Sequence, residues 1–239
     1  MRRYLVTCAV LALAACAPKP ADTAKTAAAP ATAPAPAASA DGMTVPPNTA
    51  AAGTYKLDKA HTSLSFKVSH LGFSHYTAGF DDVNGTLQFD PANPAAMTVE
   101  ATIDPKSLHL NTPPAGFHDE LMSKAWFDAA AFPAMTFKST KVEVTGPKTA
   151  DVTGDLTLHG VTRPVTLAVT FNGGYAPNAF DGARIGFSGK GVLKRSDYGM
   201  GFGIPAPGTN FGVSDNVDVA IETEFANGGP VKAAAPAAK

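Results

Sequence analysis

YKLDKAHTSLSFKVSH, residues Tyr55 to His70, is the stretch on which the reading of the chain turns. From Leu64 it alternates strictly: Leu64, Phe66 and Val68 fall on one face, and Ser63, Ser65, Lys67 and Ser69 on the other. A period of two with one apolar and one polar face is a β-strand that buries one side and wets the other. His70 continues the apolar phase, so a titratable ring ends the stripe.

The same alternation recurs outward. Ala78 to Asp90 reads as a second strand, with Val83, Gly85, Leu87 and Phe89 in phase. Met97 to Asp104 reads as a third, with Val99, Ala101 and Ile103 inward. Five more follow at Ala134–Val144, Asp151–Leu158, Arg163–Phe171, Ala183–Lys194 and Asn216–Phe225. Short strands at this spacing, with Gly, Asn and Pro turns between them, predict an all-β antiparallel barrel or sandwich. Gly186, Gly189 and Gly191 inside one strand predict bulges or close packing at a bend. Between Pro105 and Pro133 the alternation fails. There Phe117 to Phe127 puts Leu121, Met122, Ala125 and Trp126 on one side of a short helical excursion, expected across one mouth of the sheet. Gly199 to Gly212 is a long Gly/Pro loop, expected to be ordered by Phe202 and Phe211.

The ends of the chain have a different character. Arg2 and Arg3 precede a short apolar run, Leu5 to Ala15, too short to span a bilayer and suited to a secretory leader. Leu13-Ala14-Ala15-Cys16 resembles a bacterial lipobox, which implies a signal peptide over 1–15, cleavage before Cys16 and an acyl anchor such as palmitate on that cysteine. Residues 16–53 are then the lipidated cysteine and an Ala/Pro tether, with a reach on the order of 100 Å when extended. A folded domain is expected over 54–226 and a loose Ala/Pro tail over 227–239. Ala17 after Cys16 resembles outer-membrane sorting, so the expected location is the periplasm. Loss of Arg2 and Arg3 with the leader takes the formal charge from −1 to −3. With Cys8 removed and Cys16 acylated, neither an internal disulfide nor a thiolate site can form. The pI of about 6.6 and the lack of basic runs argue against a nucleic-acid partner.

Several patches resemble the YceI-like family of bacterial periplasmic lipid-binding proteins. They include YKLDKAHTS at Tyr55–Ser63, FKVSHLG at Phe66–Gly72, WFDAAAFP at Trp126–Pro133, GDLTLHGVTRPV at Gly154–Val165 and KRSDYG at Lys194–Gly199. They run in family order across Tyr55 to Phe225. The resemblance implies a lipocalin-like antiparallel β-barrel of about eight strands, able to hold one small ligand. It also implies an isoprenoid or acyl lipid as that ligand: a polyisoprenoid, an isoprenoid quinone or a fatty-acid derivative. The chain departs from the family at Gly116-Phe117-His118-Asp119-Glu120-Leu121, where many members carry an Arg-Asp pair before the leucine.

On this reading Leu64, Phe66, Val68, Phe137, Phe187 and Leu193 are candidate ligand-binding residues on inward stripes. The competing reading is ordinary core packing, which would make the chain an envelope stress or interaction protein with a filled barrel. His70 either hydrogen-bonds a ligand oxygen or a backbone carbonyl at the strand end. Trp126 and Phe127 are candidates for a lid over the mouth, or simple helix-to-sheet packing. Arg195 and Asp197 are expected to form a structural pair or a turn contact. The histidines lack a ligand spacing such as H-x-x-x-H, so neither a metal nor another cofactor is implied. Ser63 near His61 and Ser196 near Asp197 lack a G-x-S-x-G context, so catalysis is not expected. Besides the lipid, the anchor implies a membrane partner, and a homodimer is left open.

Overall fold

The computed structural model describes residues 47–229. The leader, Cys16, nearly all of the tether and the tail from residue 230 lie outside the described residues. Ten strands are found among them: β1 (Gly53–His70), β2 (Ser74–Phe80), β3 (Val83–Phe89), β4 (Thr98–Ile103), β5 (Leu108–Leu110), β6 (Met135–Gly146), β7 (Thr149–Leu158), β8 (Val161–Tyr175), β9 (Ala183–Lys194) and β10 (Asn216–Asn227). Every pairing between them is antiparallel.

Eight of these strands close a ring in the order β1-β3-β4-β6-β7-β8-β9-β10, and β10 returns to β1. Closure leaves no edge in the ring, which removes the usual liability of an open sheet. β1 makes this possible by changing partner along its length. Its first residues, Gly53 to Lys56, pair with β3, while Leu64 to His70 pair with β2. A bulge between Asp58 and Ser63 marks the change, and β10 stays on the other side throughout. β2 and β5 therefore extend the wall above β3. The lower end of the barrel carries Gly53, Gly146 and Asn227; the upper end carries His70, Leu158 and Asn216.

Three expectations are corrected. The segment Ala78 to Asp90 is two strands, broken at Asp81–Asp82, because the chain must leave one half of β1 and join the other. β5 lies inside the stretch read as patternless; at three residues it is too short to show alternation. The helix α1 covers only Phe117–Met122, capped by Gly116 at φ 78°. Trp126 and Phe127 follow it in a turn.

Local sequence explains the tightest connection. The β7–β8 hairpin turns on His159 and Gly160, at φ 51° and 73°. Positive φ at both central residues is the turn whose twist matches a hairpin. A side chain at position 160 would also collide with the Phe132 ring. In β9 the glycines act as expected: the facing strand bulges between Phe171 and Gly173 opposite Gly186, and Gly191 lets the Leu167 side chain approach.

Candidate functional site

The inward faces of the ring enclose a cavity of about 780 Å³. Its wall runs from Pro91, Pro94 and Lys148 at the lower end to His70, Trp126, Met200 and Val213 at the upper end. All nine candidates from the sequence lie on it: Leu64, Phe66, Val68, His70, Trp126, Phe127, Phe137, Phe187 and Leu193. The sequence reading missed others of equal standing, including Tyr76, Leu110 and Arg195. Leu167 and Ile221 also line it, on inward stripes of β8 and β10 that the alternation already marked.

Aromatic side chains line the bore in two groups. Near the upper end Phe66 packs on Phe80 at 5.7 Å between ring centres, and Phe80 on Phe127 at 5.8 Å. Near the lower end Phe89, Phe171, Phe187 and Phe225 form a chain at 5.3–6.2 Å. Phe137 belongs to neither group; its ring lies over Gly154, where any Cβ would collide with it. The three phenylalanines best placed to plug the barrel, Phe66, Phe137 and Phe187, thus stand apart, and a void remains between them.

Polar groups on this wall are few and mostly spent within the protein. Thr62 Oγ1 donates to Asp58 O at 2.8 Å, and Ser139 Oγ accepts from Val99 N at 2.9 Å. Trp126 Nε1 is the exception: it is buried, with no acceptor among the described residues. His70 is exposed at the rim, where its backbone bridges to Val213.

Arg195 is only 4% exposed. Its Nε donates to Ser214 O at 2.9 Å, its Nη1 to Met200 O at 2.8 Å and Phe202 O at 2.7 Å, and its Nη2 to Val213 O at 2.7 Å. Trp126 lies over the guanidinium, 5.5 Å from ring centre to Cζ. Burial pushes the Arg195 pKa below its ordinary value, opposed by the more distant Asp215. No carboxylate pairs with it among the described residues. Of the two expectations for Arg195 and Asp197, the turn holds, both lying in a 3-10 turn over Arg195–Tyr198, and the ion pair does not form; Asp215 accepts from Ser196 N and Oγ. Arg195 therefore helps order the loop Gly199 to Gly212 by gathering two of its carbonyls, Met200 O and Phe202 O, with two just beyond its end. Phe202, expected to help order it, packs its ring on Trp126 at 5.4 Å between centres and is 57% exposed; Phe211, also expected to, is 85% exposed.

A second polar cluster lies on the outer wall, away from the cavity lining. Asp58, His61 and Glu224 bring ligand-type atoms within 4.8 Å of one another. Arg184 already sits among them, donating to Asp58 at 2.6 Å, to Glu224 at 2.9 Å and to Asp181. The Arg184 hydrogen bond, with that from His61, holds the Asp58 carboxyl down to about 2. The cluster is an ion-paired latch tying β1, β9 and β10 together.

A closed eight-stranded antiparallel barrel around an apolar cavity is an architecture with room for one small ligand. The chain belongs to the YceI-like family, whose domain matches residues 55–225. A UPF0312 protein of Pseudomonas syringae pv. syringae is 41% identical over 177 residues, covering 73% of this chain and 87% of that protein. Among solved structures, Burkholderia cenocepacia BcnA is 29% identical, with a TM-score of 0.59, over 70% of this chain and 98% of that one. Campylobacter jejuni YceI protein is 30% identical, with a TM-score of 0.55, over 74% and 97% of the two chains. A polyisoprenoid binding domain from Saccharophagus degradans shares the fold at 18% identity, with a TM-score of 0.54, over 73% of this chain and 98% of that one.

Proposed function

We propose that the barrel binds one long apolar chain, a polyisoprenoid, an isoprenoid quinone or a fatty-acid derivative, and serves as a carrier or buffer in the periplasm. The observation that carries this reading is the continuous cavity of about 780 Å³, walled almost wholly by aliphatic and aromatic side chains. That volume lies within the roughly 300–1,000 Å³ of small-molecule sites. Each CH₂ moved from water to such a wall contributes about 0.8 kcal/mol, so a tail of about ten carbons gains about 8 kcal/mol before its ordering cost. The nine candidate residues contact the tail in this reading. The His70 ring at the upper end is a donor available to an oxygen on the ligand. The family and the polyisoprenoid-binding relative support the ligand class. Cys16, acylated, holds the protein to the outer membrane.

The reading as a filled barrel is disfavoured by the void between Phe66, Phe137 and Phe187. No catalytic step is assigned. His61 is held by Asp58, and neither His61 nor Ser63 faces the cavity. Titration of delipidated protein with a fluorescent long-chain fatty acid tests the function. Saturation at one per barrel, with displacement by geranylgeraniol, is the expected result. Uptake no greater than that of a control protein without a cavity would exclude it.

A further inference from the structure

Two loops meet at the upper rim. Leu71 N donates to Gly212 O at 2.8 Å, and Val213 N to Gly203 O at 2.9 Å. These bonds set Phe73, Phe202 and Phe211 around one mouth of the cavity, beside the lining residues His70, Trp126 and Val213. Phe73 and Phe211 are each 85% exposed and Phe202 57%. Half of the large apolar side chains exposed among the described residues are therefore gathered here. Two of the segments at the rim, 70–75 and 199–214, contain no Asp, Glu, Lys or Arg, in a chain 16% charged; the charges of the third, Asp119, Glu120 and Lys124, lie on and just after α1.

We propose that this rim is a membrane-docking surface, and that lipid passes between the bilayer and the cavity there. The proposal rests on the lipid-binding reading above. The occupant is argued from shape, charge and reach. Phe73 and Phe211 stand out from their loops, while Phe202 packs edge-on against Trp126 beneath them, which suits insertion of the outer two among acyl chains. Aromatic side chains on a charge-free loop can enter the interfacial region without desolvating an ion. An apolar ligand leaving the cavity at this rim would enter the hydrocarbon layer without crossing water. Residues 17–46 carry at most roughly 100 Å of chain, at about 3.3–3.6 Å per residue. β1, at 18 residues, is at most roughly 65 Å long on the same scale. A barrel tethered from its lower end can therefore still turn its upper rim to the membrane that holds the anchor.

The test uses protein purified from its own membrane and vesicles of phosphatidylethanolamine and phosphatidylglycerol carrying labelled geranylgeraniol. Phe73→Ser/Phe211→Ser is expected to load at least tenfold more slowly from vesicles than the native protein, and to take up the same alcohol from ethanol to the same stoichiometry. Loading from vesicles at the native rate would overturn the proposal. So would a dimer, seen by sedimentation, that the double substitution dissolves without slowing vesicle loading. A second measurement reads the rim without any ligand. Phe211→Trp in a Trp126→Phe background should be quenched by brominated acyl chains in the same vesicles; its absence would refute insertion. Failure of the native protein to bind geranylgeraniol from ethanol would instead count against the lipid-binding reading, and the quenching would still decide the rim.

Discussion

Two arginines, one on each side of the wall, hold the barrel in opposite ways. Arg184, on the outer wall towards the lower end, is partly exposed and faces three carboxylates, Asp58, Asp181 and Glu224. Arg195, at the upper end, is buried and faces four backbone carbonyls with no carboxylate at contact distance. The first is a latch between regular strands that hydrogen-bond one another without it. The second holds in place a loop with no ladder of its own. A buried charge met only by peptide dipoles is costly to place and costlier to remove, because its partners are then left without donors. The lower end should thus be robust and pH-sensitive, and the upper end indispensable but vulnerable.

That contrast can be broken most sharply at Arg195. Arg195→Met strands four carbonyls and is expected to destabilise the domain by about 3–5 kcal/mol, roughly 10 °C in Tm for a domain of this size. Hydrogen exchange should show residues 199–214 opening first. A loss of under 1 kcal/mol, with the loop still protected, would mean that the carbonyls find other donors.

Filling the bore separates binding from stability. Gly189 faces the cavity, with Ile221 its nearest side-chain neighbour. Gly189→Phe should weaken fatty-acid binding at least tenfold, about 1.4 kcal/mol, with Tm held or raised. Unchanged affinity by fluorescence titration would place the ligand elsewhere.

The outer latch should give a smaller effect with a pH signature. Asp58 is held to about 2, below its ordinary value of 3.8, by Arg184 first and His61 second. A carboxylate depressed in the fold contributes fully above its unfolded pKa, and that contribution fades as pH falls from about 4 towards 2. Arg184→Met should cost about 1 kcal/mol at neutral pH, after discounting for solvent screening. It should also flatten the fall in Tm over the same acid range. Smallest of all, Lys138→Ala removes an exposed pair with Glu100 and should leave Tm unchanged within error.

The wall was legible in the sequence because a period of two states both the strand and its inner face. Seven of the nine proposed ligand-contacting residues reach the cavity for that reason; Trp126 and Phe127 reach it from the turn after α1. Where one strand was read for two, a signal existed: the inward phase moves from Ala78 and Phe80 to Val83 and Leu87, an odd step that an unbroken strand cannot make. The upper end was not legible. Arg195 bonds carbonyls, which carry no residue identity, so Asp197 looked the natural partner. Phe202 and Phe211 were expected to order the loop; Phe202 does pack on Trp126, but Phe211 stands exposed, and a Gly/Pro stretch carries no period that would say which way each points.

Native mass spectrometry of protein released gently from its own envelope puts the central claim to the most direct test. One apolar molecule should travel with each barrel, leave on denaturation and be absent from Gly189→Phe. A native protein that carries no such mass, and takes none up when a long-chain lipid is supplied, would show the cavity to be empty by nature.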